Sequence, residues 1–273
     1  MRNTLFLSGI ILLILSSCAG GPVEDNTQAG NAGEIVESPT PIWRPETVEF
    51  QYTDGTVDKT ISYIYDDKGR LVNSNELDNR GELLYKREIV YQQGHPVSEL
   101  ISNAGGPVYT IRFNLDDDFN VVEQLKLDTG GDVLSGVSFT YDDGMLVKTS
   151  TFDSDGILLL ESIYSYENVI VTSVEYMLPD GTVEAKFERI MENGLISMEK
   201  TTLSDGTVET ARKFEYKGNL LVGETQYAGD QLMKSASFIN DEYGNISREI
   251  WSDMKGIEYE IVERTWIKFE SAE

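Results

Sequence analysis

The chain has 273 residues, and 40% of them are hydrophobic, which is enough for one large all-β domain or two ordinary domains. Its 22 lysine and arginine residues face 47 acidic residues, giving a formal charge of −25. Because such a surface repels nucleic acid and anionic lipid headgroups, we expect no nucleic-acid partner. Acidic turns that keep a β-rich protein soluble account for the charge.

The N-terminus has the features of a targeting segment. Arg2 precedes an apolar run over residues 5 to 15, which is too short to span a bilayer comfortably. The run ends in Leu15-Ser16-Ser17-Cys18-Ala19, which resembles the bacterial lipobox, and Cys18 is the only cysteine. The resemblance implies a palmitate-type lipid on Cys18, which becomes the first residue of the mature protein. We therefore expect a lipoprotein held at the bacterial cell envelope, at the outer membrane or the cell surface, through this lipid.

The composition divides the remaining chain into a tether and one domain. Residues 19 to 45 are rich in Gly, Pro, Asn, Glu, Ser and Thr and show little periodicity, which is typical of a flexible tether. Residues 46 to 273 are expected to form a single β-repeat domain. No later segment is long and apolar enough for a transmembrane helix.

Turn signals recur along the whole domain. A glycine or a glycine equivalent marks a turn about every 12 to 13 residues, leaving strands of about eight or nine residues. Short strands at such regular spacing predict an all-β, antiparallel up-and-down meander. Because two turn types alternate, the repeat is about 25 residues long and occurs about eight times, giving about 18 strands.

The repeated residues have a structural explanation. Asp and Asn at turn starts bond back to the backbone, and Gly supplies the positive φ that closes a tight turn. Aromatic residues at strand ends share one face, and we expect them to stack as ladders across neighbouring hairpins. The repeat signature is clearest in three copies: Tyr63, Tyr65, Asp66 and Gly69; Tyr141, Asp142 and Gly144; and Tyr216 and Gly218.

An open sheet of this size would leave its apolar face wet. About 18 strands at roughly 4.8 Å each would span about 85 Å, and no segment predicts a covering helix. Sheets of more than about ten strands usually curl, split or close. We therefore expect the sheet to roll over its apolar face as a closed barrel, a flattened barrel or a coiled shell.

One copy of the repeat resembles a known family. Residues 65 to 71, Tyr-Asp-Asp-Lys-Gly-Arg-Leu, match the Tyr-Asp-x-x-Gly-Arg-Leu pattern of the YD, or Rhs-type, repeat throughout. Residues 141 to 146 match with one residue fewer, and residues 241 to 246 match more loosely. The resemblance implies a winding β-sheet shell. It supplies no catalytic residues, and with the sequence ending at Glu273 we do not expect the toxic C-terminal domain that larger members enclose.

Groups suited to catalysis or cofactor binding are scarce. His95, the only histidine, lies in a predicted turn, so histidine triads and histidine zinc sites are not expected. The acidic turns at residues 116 to 120 and 153 to 156 offer oxygen ligands for calcium, but they lack EF-hand spacing, so we interpret them as structural. A glycosidase-type carboxylate pair should interrupt the repeat, and none clearly does. We therefore expect no enzyme activity, no cofactor and no metal.

Three functional hypotheses remain. The first is a non-catalytic, lipid-anchored module with a structural role or an envelope protein as its partner. The second is a periplasmic or outer-membrane-associated carrier that holds a lipid or another hydrophobic ligand inside the rolled sheet. The third is a transmembrane barrel, which the lipobox, the short turns and basic residues such as Arg87, Lys148, Arg212 and Lys234 on mostly apolar faces disfavour. Departures from the repeat, around residues 92 to 96, 103 to 107 and 241 to 244, are the better places for a functional site.

Overall fold

The computed structural model describes residues 41 to 269, and regular β-strands joined by tight turns make up this part of the chain. The strands are β1 (Ile42–Gln51), β2 (Val57–Tyr65), β3 (Leu71–Asp78), β4 (Leu83–Gln92), β5 (His95–Asn103), β6 (Gly106–Leu115), β7 (Val121–Leu127), β8 (Val133–Asp142), β9 (Met145–Asp153), β10 (Leu158–Glu167), β11 (Ile170–Met177), β12 (Val183–Glu192), β13 (Leu195–Leu203), β14 (Val208–Lys217), β15 (Leu220–Ala228), β16 (Gln231–Asn240), β17 (Ile246–Asp253) and β18 (Glu258–Phe269).

The sheet closes into an up-and-down barrel. Each strand pairs antiparallel with the next one in the chain, and β18 pairs with β1. The predicted antiparallel meander of about 18 strands is therefore confirmed, and of the three predicted shapes it adopts the closed barrel. Strand β1 begins at Ile42, before the domain start that the composition predicts at residue 46, because Ile42 pairs with Phe269.

The register around the ring determines the size of the barrel. Following paired residues once around the wall displaces the register by about 18 residues, which is the shear of the barrel. With 18 strands, this shear tilts the strands by about 37° and gives a backbone diameter of about 32 Å. Inward side chains reach about 6 Å, so a lumen about 20 Å wide remains.

The two faces of the wall differ in composition. We call one of them the aromatic face because it carries large rings at alternate positions, among them Tyr63, Phe139 and Phe238. All buried hydrophobic side chains except Ile261 lie on this face. Side chains converge on the concave side of a cylinder and diverge on the convex side, so the more buried aromatic face is the inner wall. The register also supports this assignment. One circuit from β1 through β18 ends about 18 residues further along the direction of β1, and with the fixed hand of sheet twist this shift requires the aromatic face to be inside.

Two turn types connect the strands, and the first is an Asp-x-x-Gly loop. In the loop after β2, the Asp66 carboxylate accepts the backbone N–H groups of Lys68 and Arg70 at 3.0 and 2.9 Å. Gly69 has a φ of 71°, a conformation that glycine adopts without a steric penalty. The same loop geometry recurs at both ends of the barrel, so the carboxylates of these turns serve as internal caps.

The second type is a two-residue turn. Between β8 and β9, Asp142 pairs with Met145, and the two central residues, Asp143 and Gly144, have φ values of 48° and 76°. Positive φ at both positions is the type I′ geometry that matches the twist of a hairpin. This shorter turn explains why the second copy of the repeat is one residue shorter than the first.

The inner wall is not packed against the opposite side of the barrel. Among residues 41 to 269, ion pairs between strands join adjacent strands, for example β4 with β5 and β14 with β15. Most inner-wall side chains are only partly buried. A barrel of 18 strands is wide enough for an aqueous lumen, and this wall leaves it open.

Candidate functional site

The most buried carboxylate of the described residues, that of Glu224, belongs to a charge network on the inner wall. Arg212 on β14 donates from Nε and Nη2 to the two carboxylate oxygens of Glu224 on β15, both at 2.9 Å, and from Nη1 to Glu199 on β13 at 3.2 Å. Arg189 on β12 donates from Nε and Nη2 to Glu199 at 3.0 and 2.8 Å. The Glu224 side chain is only 4% exposed. Four adjacent strands thus carry a continuous chain of alternating charges.

The surroundings of Glu224 favour its ionised form. Burial raises the pKa of Glu224, but hydrogen bonds from Arg212 and Gln226 outweigh it, so the pKa of Glu224 lies below its ordinary value. Every carboxyl group between residues 41 and 269 with a displaced pKa has it lowered. A glycosidase-type general acid needs a raised pKa. The network is therefore suited to fixing charge in place rather than to transferring protons.

Cations of the inner wall also lie over aromatic rings. The Lys234 ammonium is 4.1 Å from the centre of the Trp251 ring, and the Lys126 ammonium is 4.1 Å from that of Tyr109. Such contacts hold a cation over an aromatic face without removing it from water. The lumen is consequently lined by rings and fixed charges together, not by a continuous apolar surface.

Ion pairs occur on the outer wall as well. Lys200 on β13 bonds to Glu188 on β12 at 3.0 Å, and Glu188 also lies 3.4 Å from Lys186 on its own strand. Lys148 on β9 bonds to Glu161 on β10. These pairs lie in the middle of their strands, so the outer wall carries charge at mid-height. Of the basic residues named in the sequence analysis, Lys148 lies on this outer wall, whereas Arg87, Arg212 and Lys234 lie inside.

One end of the barrel, where the even-numbered strands end, carries a repeated hydrogen bond, and we call this end the tyrosine rim. A ring hydroxyl at the end of an even-numbered strand donates to a backbone carbonyl near the start of the preceding strand. The bonds run from Tyr65 to Pro45 (2.7 Å), from Tyr91 to Leu71 (2.9 Å), from Tyr141 to Val121 (3.0 Å) and from Tyr166 to Leu146 (2.7 Å). Trp266 Nε1 donates to Ile246 O in the same way at 3.0 Å.

This geometry corrects the predicted aromatic ladders. Tyr65 and Tyr91 lie at the ends of alternate strands, β2 and β4, so their rings are about 10 Å apart. Ring pairs interact at centroid distances of about 4.5 to 7 Å, so these two rings do not stack. Within residues 41 to 269, the strand-end rings of Tyr65 and Phe269 do meet edge-on, with centroids 5.5 Å apart, but no continuous ladder forms. Each hydroxyl group instead bonds the end of its own strand to the strand that precedes it in the chain.

The first copy of the repeat signature lies at the tyrosine rim and on the inner wall beside it. Burial raises the pKa of Tyr63, and it raises that of Tyr65 to about 12. Asp66 accepts a further bond from Arg70 Nε at 2.7 Å. A Cβ on Gly69 would lie 3.1 Å from the Phe269 ring, so the turn also packs against the end of β18.

The other two copies differ from the first in their contacts. Tyr141 makes the hydroxyl-to-carbonyl bond, and Asp142 and Gly144 form the two-residue turn described above. In the described part of the chain the Tyr216 hydroxyl makes no such bond, although burial raises its pKa. Gly218 has a φ of 62°, as its turn requires. Cys18, the predicted lipidation site, lies outside the described residues.

Sequence reasoning missed two ring pairs at the tyrosine rim, each made of one exposed and one partly buried ring. The His95 and Phe119 rings stack with centroids 4.3 Å apart and planes 7° apart, and Trp43 stacks on Tyr243 at 4.5 Å. His95 and Tyr243 fall in two of the three segments where the repeat breaks down. A signal for Phe119 was present, because it stands where the equivalent turns have a glycine.

The acidic turns that sequence analysis considered for calcium are internally bonded. One oxygen of Asp116 accepts the N–H groups of Asp118 and Asn120 at 3.0 and 2.8 Å, and Asp153 makes the corresponding two bonds at 2.9 Å. Between residues 41 and 269, no group of three or more His, Cys, Asp or Glu side chains is arranged to hold a metal ion. In the same range, no helix could cross a bilayer.

The geometry defines an eighteen-stranded up-and-down β-barrel with an open, charge-lined lumen. No family model and no curated protein matches the chain. Among solved structures, it is similar to a porin-like protein from Bacteroides uniformis, at 13% identity and a TM-score of 0.46, over 82% of this chain and 98% of that one. It is also similar to a porin-like protein from Bacteroides vulgatus, at 10% identity and a TM-score of 0.39, over 81% of this chain and 97% of that one.

Proposed function

We propose that this protein is a non-catalytic, lipid-anchored lipoprotein of the bacterial cell envelope, and that its barrel is a structural or protein-interaction module. The observation that carries the proposal is the presence of ion pairs on both faces of the wall, as in Arg212–Glu224 inside and Lys200–Glu188 outside. A barrel that faces lipid needs an outer band free of such charge, because each charge at mid-bilayer costs about 2–4 kcal/mol. A barrel with ion pairs on both walls is suited to an aqueous environment.

The path of the chain fits attachment through a tether. Strand β1 starts at Ile42 on the tyrosine rim, where β18 also ends at Phe269. A lipid on Cys18 would therefore be joined to strand β1 through the segment of residues 19 to 41. The YD-like turn at Asp66 and Arg70 belongs to the same rim and supports a structural role for the repeat.

The lipid anchor can be tested directly. Cells expressing the protein are fed an alkyne-bearing palmitate, and we expect label on the protein and none on the Cys18→Ser variant, which should also leave the membrane fraction. Label that persists in Cys18→Ser would overturn the anchor.

The interaction role is tested by crosslinking in intact cells, followed by purification of the protein and identification of its neighbours. A reproducible envelope partner is expected. Recovery of the same proteins with a tagged, unrelated envelope lipoprotein would count against a specific role.

A carrier for a hydrophobic ligand fits the same wall less well. Val174, Tyr176 and Ala185 form a buried apolar cluster on the inner wall, but the Arg212 network lies on the strands beside it. An apolar ligand in this lumen would cover the half-exposed guanidinium of Arg212, and burying a charge is unfavourable. Native mass spectrometry of the purified protein should therefore show the mass of the polypeptide with its anchor and no further bound lipid.

A further inference from the structure

Phe119 adopts a backbone conformation that its residue type disfavours. Its φ is 63°, whereas the equivalent positions in the other two Asp-x-x-Gly loops of the tyrosine rim are Gly69 and Gly244, with φ values of 71° and 87°. A side chain in this left-handed region clashes with the following carbonyl, and for a bulky residue the conformation is a genuine outlier. The other non-glycine residues with positive φ in the described chain are one Gln, one Asp and two Asn, and of these types Asp and Asn are enriched in this region.

The strained residue exposes an apolar ring. Phe119 is 42% exposed, and one face of its ring lies against the His95 imidazole. The pair also lies where one bond of the rim is missing. At the end of β6, Leu115 occupies the position that a tyrosine has on the strands described above. Leu115 has no hydroxyl group to bond to the start of β5, where His95 lies. Glycine would close this turn without strain, so folding alone does not explain a phenylalanine. Strain that persists at an exposed position points to a functional constraint.

The chemistry around the ring favours a cation. Asp117 and Asp118 precede Phe119 and are exposed, and the whole chain carries a charge of −25. The barrel already contains such an arrangement one hairpin away, where the Arg70 guanidinium lies 4.7 Å from the Tyr91 ring centre and bonds to Asp66 at 2.7 Å. The planar guanidinium of an arginine can stack on a ring while its N–H groups pair with carboxylates, whereas the ammonium of a lysine cannot do both.

We propose that the Phe119–His95 pair, with Asp117 and Asp118, is the point at which a protein partner docks through an arginine side chain. This inference rests on the proposed interaction role and names the surface that performs it. A second copy of this chain is a poor occupant, because two surfaces of such acidity repel each other.

Peptide binding to the purified protein tests the docking point. Fluorescein-labelled hexa-arginine and hexa-lysine are titrated at 0.15 M salt, and binding is followed by fluorescence anisotropy. Hexa-arginine should bind more tightly, and Phe119→Gly should weaken it about tenfold, to the level of hexa-lysine. Phe119→Gly restores the residue found in the equivalent turns, so its circular dichroism spectrum should match that of the parent protein.

The matched control is Tyr52→Ala. Tyr52 is also an exposed ring in an acidic turn, 51% exposed and bonded to Asp58, but it lies at the opposite rim and outside the ring pair. Its substitution should leave hexa-arginine binding unchanged. Equal losses in the two variants, equal affinity for the two peptides, or full binding by Phe119→Gly would each overturn the docking point. These outcomes are separate from the crosslinking experiment, because a partner could still be captured through another surface.

Discussion

Removing one hydroxyl group from the tyrosine rim should weaken the barrel by a measurable amount. Tyr91→Phe keeps the half-buried ring and deletes only its 2.9 Å bond to the Leu71 carbonyl. The lost bond leaves that carbonyl short of one partner, and such a bond contributes about 1 kcal/mol net. For a domain of this size, 1 kcal/mol lowers Tm by about 3 °C.

The rim offers both a multiple variant and an internal control. The four hydroxyl groups of Tyr65, Tyr91, Tyr141 and Tyr166 bond to four separate carbonyls, so their losses should add. Replacing all four by phenylalanine should cost about 4 kcal/mol and lower Tm by about 12 °C. Tyr216→Phe is the control, because its hydroxyl lacks the carbonyl bond and its removal should be nearly neutral.

Urea and thermal unfolding followed by circular dichroism measure these differences. If Tyr216→Phe were as harmful as Tyr91→Phe, the hydroxyl bonds would not be the reason for the tyrosines. A quadruple variant as stable as the parent protein would refute the rim bonds as a source of stability altogether.

Three further predictions follow from the wall, the turns and the buried tyrosines. Glu224→Gln should lower the free energy of unfolding in urea by about 2–3 kcal/mol, because it leaves Arg212 without its doubly bonded partner. The control Glu263→Gln alters an exposed pair 3.7 Å from Arg248, so it should cost less than about 0.5 kcal/mol. Gly69→Ala should lower Tm more than Gly256→Ala. Both glycines have positive φ, but only at residue 69 would the new Cβ lie against the Phe269 ring, and equal losses of Tm would exclude that contact. Burial raises the pKa values of Tyr65 and Tyr176 to about 12, so the contribution of these two tyrosines to stability is fully present below pH 10 and is lost as the pH rises from about 10 to about 12. In Tyr65→Phe, the fall of the urea midpoint over this alkaline range should be shallower.

The strands and their number were predictable because their determinants are local. Residues such as Asp66 and Gly69 determine the geometry of the turn in which they lie, and side-chain alternation follows from the extended backbone. Rolling of the sheet also followed from physical reasoning, since an open sheet of this width would expose its apolar face. The closed barrel was one of three shapes left open, because closure depends on the pairing of β1 with β18, which no local signal specifies. The role of the aromatic strand ends did not follow, because the Tyr65–Pro45 bond depends on the stagger between paired strands, which the periodicity does not specify.

The candidate docking point was only partly visible in the sequence. A glycine missing at residue 119 is a local signal, but its stacking on His95 joins two different hairpins of the rim. The ion-pair network was less visible still. Arg212 and Glu224 are each unremarkable in an acidic chain, and only the register of β14 against β15 brings them to adjacent positions on the inner wall.

Closure converts a chain of local contacts into one cooperative body. Each hairpin contacts its neighbours only, so an open array of these repeats would resemble a solenoid whose ends need protection. Pairing β1 with β18 removes both free edges, and with them the unpaired backbone groups that invite aggregation. The seam is reinforced by the bond between the Thr47 and Thr265 hydroxyl groups at 2.7 Å. Tyr65 on β2 adds support from the side, because its ring contacts Phe269 on β18 and its hydroxyl bonds to Pro45 on β1.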